Sequence, residues 1–121
     1  MKLMIVDDSN IIRSRIARVV LHPELADIEI VGLARNGREA LDVCWLHSPD
    51  IVTMDLTMPE MDGIACIEQL ISLDEHLNIL VVSALNDKTT AIEALKKGAR
   101  GFLHKPFSDE QLVSALLEVM S

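Results

Sequence analysis

Cysteine is nearly absent from this 121-residue chain: Cys44 and Cys66 are the only two. Thiols so few and so far apart build neither a disulfide framework nor a zinc knuckle. Both fall at apolar positions of predicted helices, where buried thiols are the expectation. Cationic residues are scarce too. Eleven Lys and Arg face nineteen Asp and Glu, a net charge of −8. Non-specific affinity for nucleic acid comes mainly from Lys and Arg on phosphates, so no direct nucleic-acid binding is expected. The cations that do crowd together, Lys96, Lys97 and Arg100, suit the negative end of a helix. No apolar run approaches a membrane span, and no signal-peptide pattern precedes the first strand. The expected setting is therefore the cytosol, away from membranes. Linkers, repeats and low-complexity segments are also missing. The length suits one domain over 1–121 whose core closes without disulfide or metal staples.

What the chain has is five short Val/Ile/Leu-rich runs separated by stretches of helical period. That alternation reads as a parallel sheet buried on both faces, within a doubly wound α/β three-layer sandwich. Predicted helices cover about Ser9 to Leu21, from Asn36 with Glu39 placed for a capping box, and from Asp62-Gly63. Two more run from Asp87 to Gly98 and from Ser108 with Gln111 three residues on. Their inward stripes include Ile12, Ile16, Val19 and Val20, then Ile64, Ile67, Leu70 and Ile71, then Leu112, Leu116 and Val119. Periodicity does not fix strand order. The flavodoxin-like order 2-1-3-4-5 is the natural expectation for five such units. Trp45 is expected to pack, and His22, His47, His76 and His104 are too scattered to form a metal site.

Four of the five strands end in residues suited to phosphate or metal chemistry. Lys2 to Val6 runs into Asp7 and Asp8, Asp50 to Met54 into Asp55, Asn78 to Val82 into Ser83, and Gly101 to His104 into Lys105. Ligands of open α/β sheets sit beyond the carboxyl ends of the strands, at the point where strand order reverses. In the expected order that point lies between strands 1 and 3, where the three acids converge. Three adjacent carboxylates repel unless a cation joins them. Mg²⁺ fits, being a hard ion that takes one or two carboxylates and bridges to phosphate. Lys105 and Ser83 add a point charge and a hydroxyl. These are the parts for accepting a phosphoryl group, with Asp55 as the nucleophile.

The same residues carry a family likeness. Asp7-Asp8, Asp55 with Met58-Pro59 and Asp62-Gly63, Ser83-Ala84, and Lys105-Pro106-Phe107 resemble the receiver domain of bacterial two-component response regulators. The likeness covers the whole chain in order and spacing. It is to chemotaxis-type receivers, stand-alone or excised from a longer regulator; the segment after helix 1 is also similar to receivers that carry output domains. The resemblance implies that Asp55 is phosphorylated by a histidine kinase or phosphotransfer protein, or slowly by small phosphodonors. It implies Mg²⁺, for which Mn²⁺ can substitute, held by Asp8, Asp55 and the backbone carbonyl of Thr57, with Asp7 acting through water. Ser83 and Lys105 would bind the phosphoryl oxygens. Lys105-Pro106 would be cis, and Phe102 would stand at the aromatic switch position. Thr57 and Leu85 would tune phosphoryl lifetime, and the apolar Leu85 implies slower dephosphorylation than in a Leu85→Glu variant. Such a domain is not a conventional enzyme; it catalyses its own phosphorylation and dephosphorylation at Asp55. Its output would be the face of helix 4, strand 5 and helix 5, acting on a downstream partner or output domain, or through a phosphorylation-dependent homodimer.

Two other phosphate folds fit less well. A haloacid-dehalogenase-type hydrolase needs an Asp two residues after its nucleophile, where Thr57 stands. A flavodoxin needs a Ser/Thr/Gly-rich loop after strand 1. The remaining alternative is a receiver-like docking module that is not phosphorylated.

Overall fold

The computed structural model describes residues 1–58, 61–84 and 88–121. Five strands alternate with five helices: β1 (Lys2–Val6), α1 (Asn10–Val19), β2 (Glu29–Ala34), α2 (Gly37–His47), β3 (Ile51–Met54), α3 (Gly63–Leu73), β4 (Asn78–Ser83), α4 (Lys88–Lys96), β5 (Gly101–His104) and α5 (Asp109–Met120). A single 3₁₀ turn, Pro23–Leu25, precedes β2. The strands form one sheet in the order β2-β1-β3-β4-β5. Every pairing is parallel. This is the doubly wound arrangement expected from the sequence.

Alternation along each strand divides the core in two. Met4, Val6, Val52, Met54, Ile79 and Val81 face α2, α3 and α4. Leu3, Ile5, Ile51, Leu80 and Val82 face α1 and α5. The central strands have no polar face to spare, because helices cover both sides.

Helix starts follow their caps. The side chains of Ser9, Asn36, Asp62 and Ser108 accept hydrogen bonds from backbone N–H groups three residues on. At α5 the box is reciprocal, with Gln111 accepting from the Ser108 N–H at 2.8 Å. At α2 it is not. Glu39 reaches past Asn36 to the N–H of Arg35 at 2.8 Å and pairs with its guanidinium at 2.9 Å, because that cation is the stronger attractor. The expected cap of α4, Asp87, lies outside the described residues. Gly98 follows α4 with φ +122°, a region closed to ordinary L residues.

Two expectations need correction. Helix α1 ends at Val19, two residues before the expected Leu21, which is left 81% exposed. Trp45 does not pack into the core; it is 76% exposed. The buried line of α2 is Gly37, Ala40 and Cys44, and Trp45 lies one residue, about 100° of turn, beyond it. Both cysteines are buried and free, and burial pushes the Cys66 thiol up to about 12. Among the described residues, no helix is long and apolar enough to cross a membrane.

Candidate functional site

Register brings the acids together. Val6 pairs with Met54 across β1 and β3, so the next residues, Asp7 and Asp55, leave the sheet side by side. Their backbones remain tied to it: Asp7 N–H donates to Ala34 O at 3.0 Å, and Asp55 N–H to Val6 O at 2.9 Å. Asp7 and Asp55 are buried, at 1% and 4% exposure. Asp8 is exposed. One carboxylate oxygen from each of the three lies within 4.8 Å of the other two.

Lys105 enters from the far edge. It follows β5, and its N–H donates to Ser83 O at 2.9 Å. Its ammonium donates to Asp7 Oδ2 at 2.8 Å and lies 3.7 Å from Asp55 Oδ1. The N–H of Ser9 donates to the other oxygen of Asp7 at 2.9 Å. Each oxygen of Asp7 thus has a short contact, and those of Asp55 do not. Among the described residues, Asp55 receives one long bond, from the Thr57 N–H at 3.3 Å. Burial, then the Asp7 charge, push its carboxyl up to about 6, with Lys105 and the Thr57 N–H pulling the other way. An under-neutralised carboxylate beside two others calls for a further cation. The donor set is all hard oxygen, which suits Mg²⁺ rather than a soft metal.

The loop after β3 is shaped to reach this edge. A methyl group on Gly63 would stand 2.7 Å from the Asp55 carbonyl oxygen and closer still to the Leu56 Cα. Only glycine lets the start of α3 approach the acceptor strand this closely. Asp62 caps that helix by accepting from the Ala65 N–H at 2.8 Å. Its role is structural.

Ser83 ends β4 and is fully buried. It pairs in register with His104, while Val81 pairs with Phe102. Ser83, Val81 and Phe102 therefore share one sheet face, and Phe102 packs half-buried against the core beneath α2, α3 and α4. Thr57 is exposed. Leu85 and Pro59 lie outside the described residues. The Lys105-Pro106 bond is cis, as expected.

Two arginines of α1 also belong to this site, although nothing in the sequence pattern singled them out. Arg13 Nη1 donates to the Asp7 carbonyl at 2.6 Å. Arg15 donates to the Phe107 carbonyl, pairs with Asp109 at 3.3 Å and lies over the Phe107 ring, 4.5 Å from its centroid. One helix thus grips both segments that supply the Asp7–Lys105 pair.

The pattern of the response regulator receiver domain family matches residues 3–117. The chain belongs to that family. The receiver is 41% identical over 118 residues to the chemotaxis protein CheY of Thermotoga maritima, spanning 98% of this chain and 96% of that one. It is 43% identical over 107 residues to a protein-glutamate methylesterase of Carboxydothermus hydrogenoformans, spanning 87% of this chain and 29% of that one. Among solved structures it resembles the CheX–CheY–BeF3–Mg complex of Borrelia burgdorferi, with TM-score 0.93 and 29% identity, covering 100% of this chain and 90% of that chain. Receivers bind Mg²⁺ at an acidic pocket, and the Asp7–Asp8–Asp55 cluster is such a pocket. They interact with histidine kinases and downstream targets.

Proposed function

We propose that this receiver is the phosphoacceptor of a two-component relay and that Asp55 is the acceptor. One observation carries the assignment. The ammonium of Lys105 reaches Asp7 at 2.8 Å but Asp55 at only 3.7 Å, so of these two buried carboxylates Asp55 is the one with an oxygen to offer. A carboxylate oxygen of Asp55 attacks the phosphorus of a histidine kinase's phosphohistidine or a small phosphodonor. With phosphohistidine the new P–O bond forms as the P–N bond breaks and the departing imidazole takes a proton from solvent; with acetyl phosphate the donor's own P–O bond breaks and acetate leaves. Lys105 and Ser83 hold the phosphoryl oxygens. Asp8, Asp55 and the Thr57 carbonyl are the residues to hold Mg²⁺, with Asp7 acting through water; Mn²⁺ offers the same hard coordination. When bound, the metal neutralises charge on the transferring oxygens.

The output follows from the shared sheet face. A Ser83 hydroxyl drawn toward the phosphoryl group leaves room for the Phe102 ring, and the α4–β5–α5 surface changes with it as a shift between two populated states. Ile92 and Leu95 of α4, each about half exposed, give that surface apolar contacts for a downstream partner, an output domain or a second phosphorylated copy. The setting that suits this chemistry is the cytosol.

Beryllofluoride, a phosphoryl mimic, tests the reading. With Mg²⁺ it should raise the melting temperature of the wild type and shift the ring resonances of Phe102, and do neither in Asp55→Asn. Failure to bind the wild type would instead favour a docking module that is not phosphorylated.

A further inference from the structure

The largest exposed side chain in the molecule lies far from the acidic pocket. Trp45, the only tryptophan, stands 76% exposed on the last turns of α2, beside Leu46 at 73% and across from Leu73 of α3 at 47%. Two open grooves flank it, and Trp45 and Leu73 line both. One, of about 210 Å³, has Cys44 and Asp74 in its wall. The other, of about 370 Å³, has Leu41 and Asp42. Single exposed apolar residues are ordinary, but an indole between two apolar grooves is a contiguous patch of the kind that marks an interaction site. Tryptophan is also prominent among residues that dominate binding energy.

The charge around the patch selects its occupant. Each groove carries one carboxylate, Asp42 or Asp74, and no Lys or Arg lines either. A second copy would set these carboxylates against their own counterparts, within an assembly whose protomers each carry −8. An anionic bilayer would be repelled in the same way. A peptide segment with apolar anchors and flanking Lys or Arg meets no such penalty.

We infer that the α2–α3 face around Trp45 is a docking site for a basic amphipathic segment of a partner protein. It is separate from the α4–β5–α5 surface. The C-terminal turn of α2 lies at the amino ends of the strands, where the Lys2 ammonium donates to the His47 carbonyl at 3.4 Å. The acidic pocket lies at their carboxyl ends. A partner held at Trp45 therefore leaves Asp55 open, and this inference does not depend on Asp55 being phosphorylated.

Three synthetic helical peptides test it: one with Leu and Lys at helical spacing, one with Lys and Ser, and one with Leu and Glu. The Leu/Lys peptide should bind and shift the emission of Trp45 to the blue, whereas the other two should not bind. Its affinity by calorimetry should fall at least about tenfold in Trp45→Ala and again in Asp42→Asn with Asp74→Asn, and stay unchanged in Leu95→Ala. Circular dichroism checks that the variants are folded. The inference is overturned if no peptide binds, if the Lys/Ser peptide binds equally well, or if Trp45→Ala has no effect. It is equally overturned if phosphatidylserine vesicles shift the emission, or if sizing shows the free chain pairing through Trp45.

Discussion

Asp55 sits in the pocket with less neutralisation than Asp7, and its buried charge has a measurable cost. Its folded pKa of about 6 lies above the ordinary 3.8, so the folded state favours the protonated form. Well below pH 3.8 both states are protonated and the penalty vanishes. It grows as pH rises from the unfolded value toward the folded one and levels off above that at as much as about 3 kcal/mol. Metal-free protein should therefore lose stability between pH 4 and 7, and Asp55→Asn should lose less. In chelator at pH 7.5 the variant should melt on the order of 5–10 °C higher than the wild type; at about pH 3 the two should coincide. Added Mg²⁺ should stabilise the wild type more than the variant. Equal melting at pH 7.5 in chelator would show that Lys105 already neutralises the pocket. The residues behind this behaviour were legible as polar residues ending apolar runs. Trp45 was misread because apolar character alone says nothing about azimuth; the line Gly37, Ala40 and Cys44 already left position 45 outside it.

At the scale of elements, α1 does more than cover a sheet face. Arg13 and Arg15 tie it to the backbone of Asp7 and of Phe107, and the 2.8 Å Asp7–Lys105 contact lies between these anchors. Arg15→Met keeps the apolar stem and removes the charge-assisted bond, the ion pair and the ring contact. It should lower stability by roughly 1–3 kcal/mol and slow phosphorylation by acetyl phosphate several-fold, with Arg15→Lys restoring part of the rate. A native rate in Arg15→Met would mean that the pocket places Lys105 unaided. The β3–α3 junction is equally constrained. Gly63→Ala forces the start of α3 away from the backbone of Asp55 and Leu56 and should reduce both melting temperature and Mg²⁺ affinity. Unchanged Mg²⁺ affinity would show that the loop yields without moving the acceptor. Helix positions and caps were readable because caps are local chemistry. The arginine anchors were not, since both arginines bond backbone carbonyls, which carry no residue-type signal, and that of Phe107 is distant in sequence. Glu39 likewise fitted a capping box by spacing, but Arg35 attracted it.

The whole molecule works by convergence. A parallel sheet directs every strand's carboxyl end to one edge, and the order β2-β1-β3-β4-β5 puts β1 and β3 together there, so Asp7, Asp55 and Lys105 meet although they are spread through the chain. Periodicity could not supply that order. It was expected only because 2-1-3-4-5 is a common order for five such units, and the meeting of the three acids followed from that expectation. The opposite edge and the α2–α3 face carried no motif, and their character emerged only from exposure and shape. The central claim concerns the shared edge, and intact mass tests it most directly. The chain would be incubated with acetyl phosphate, with and without Mg²⁺, and sampled early beside Asp55→Asn. The account predicts a gain of one phosphoryl group that needs Mg²⁺ and is absent from the variant. A gain that persists in Asp55→Asn, or that ignores Mg²⁺, would contradict it.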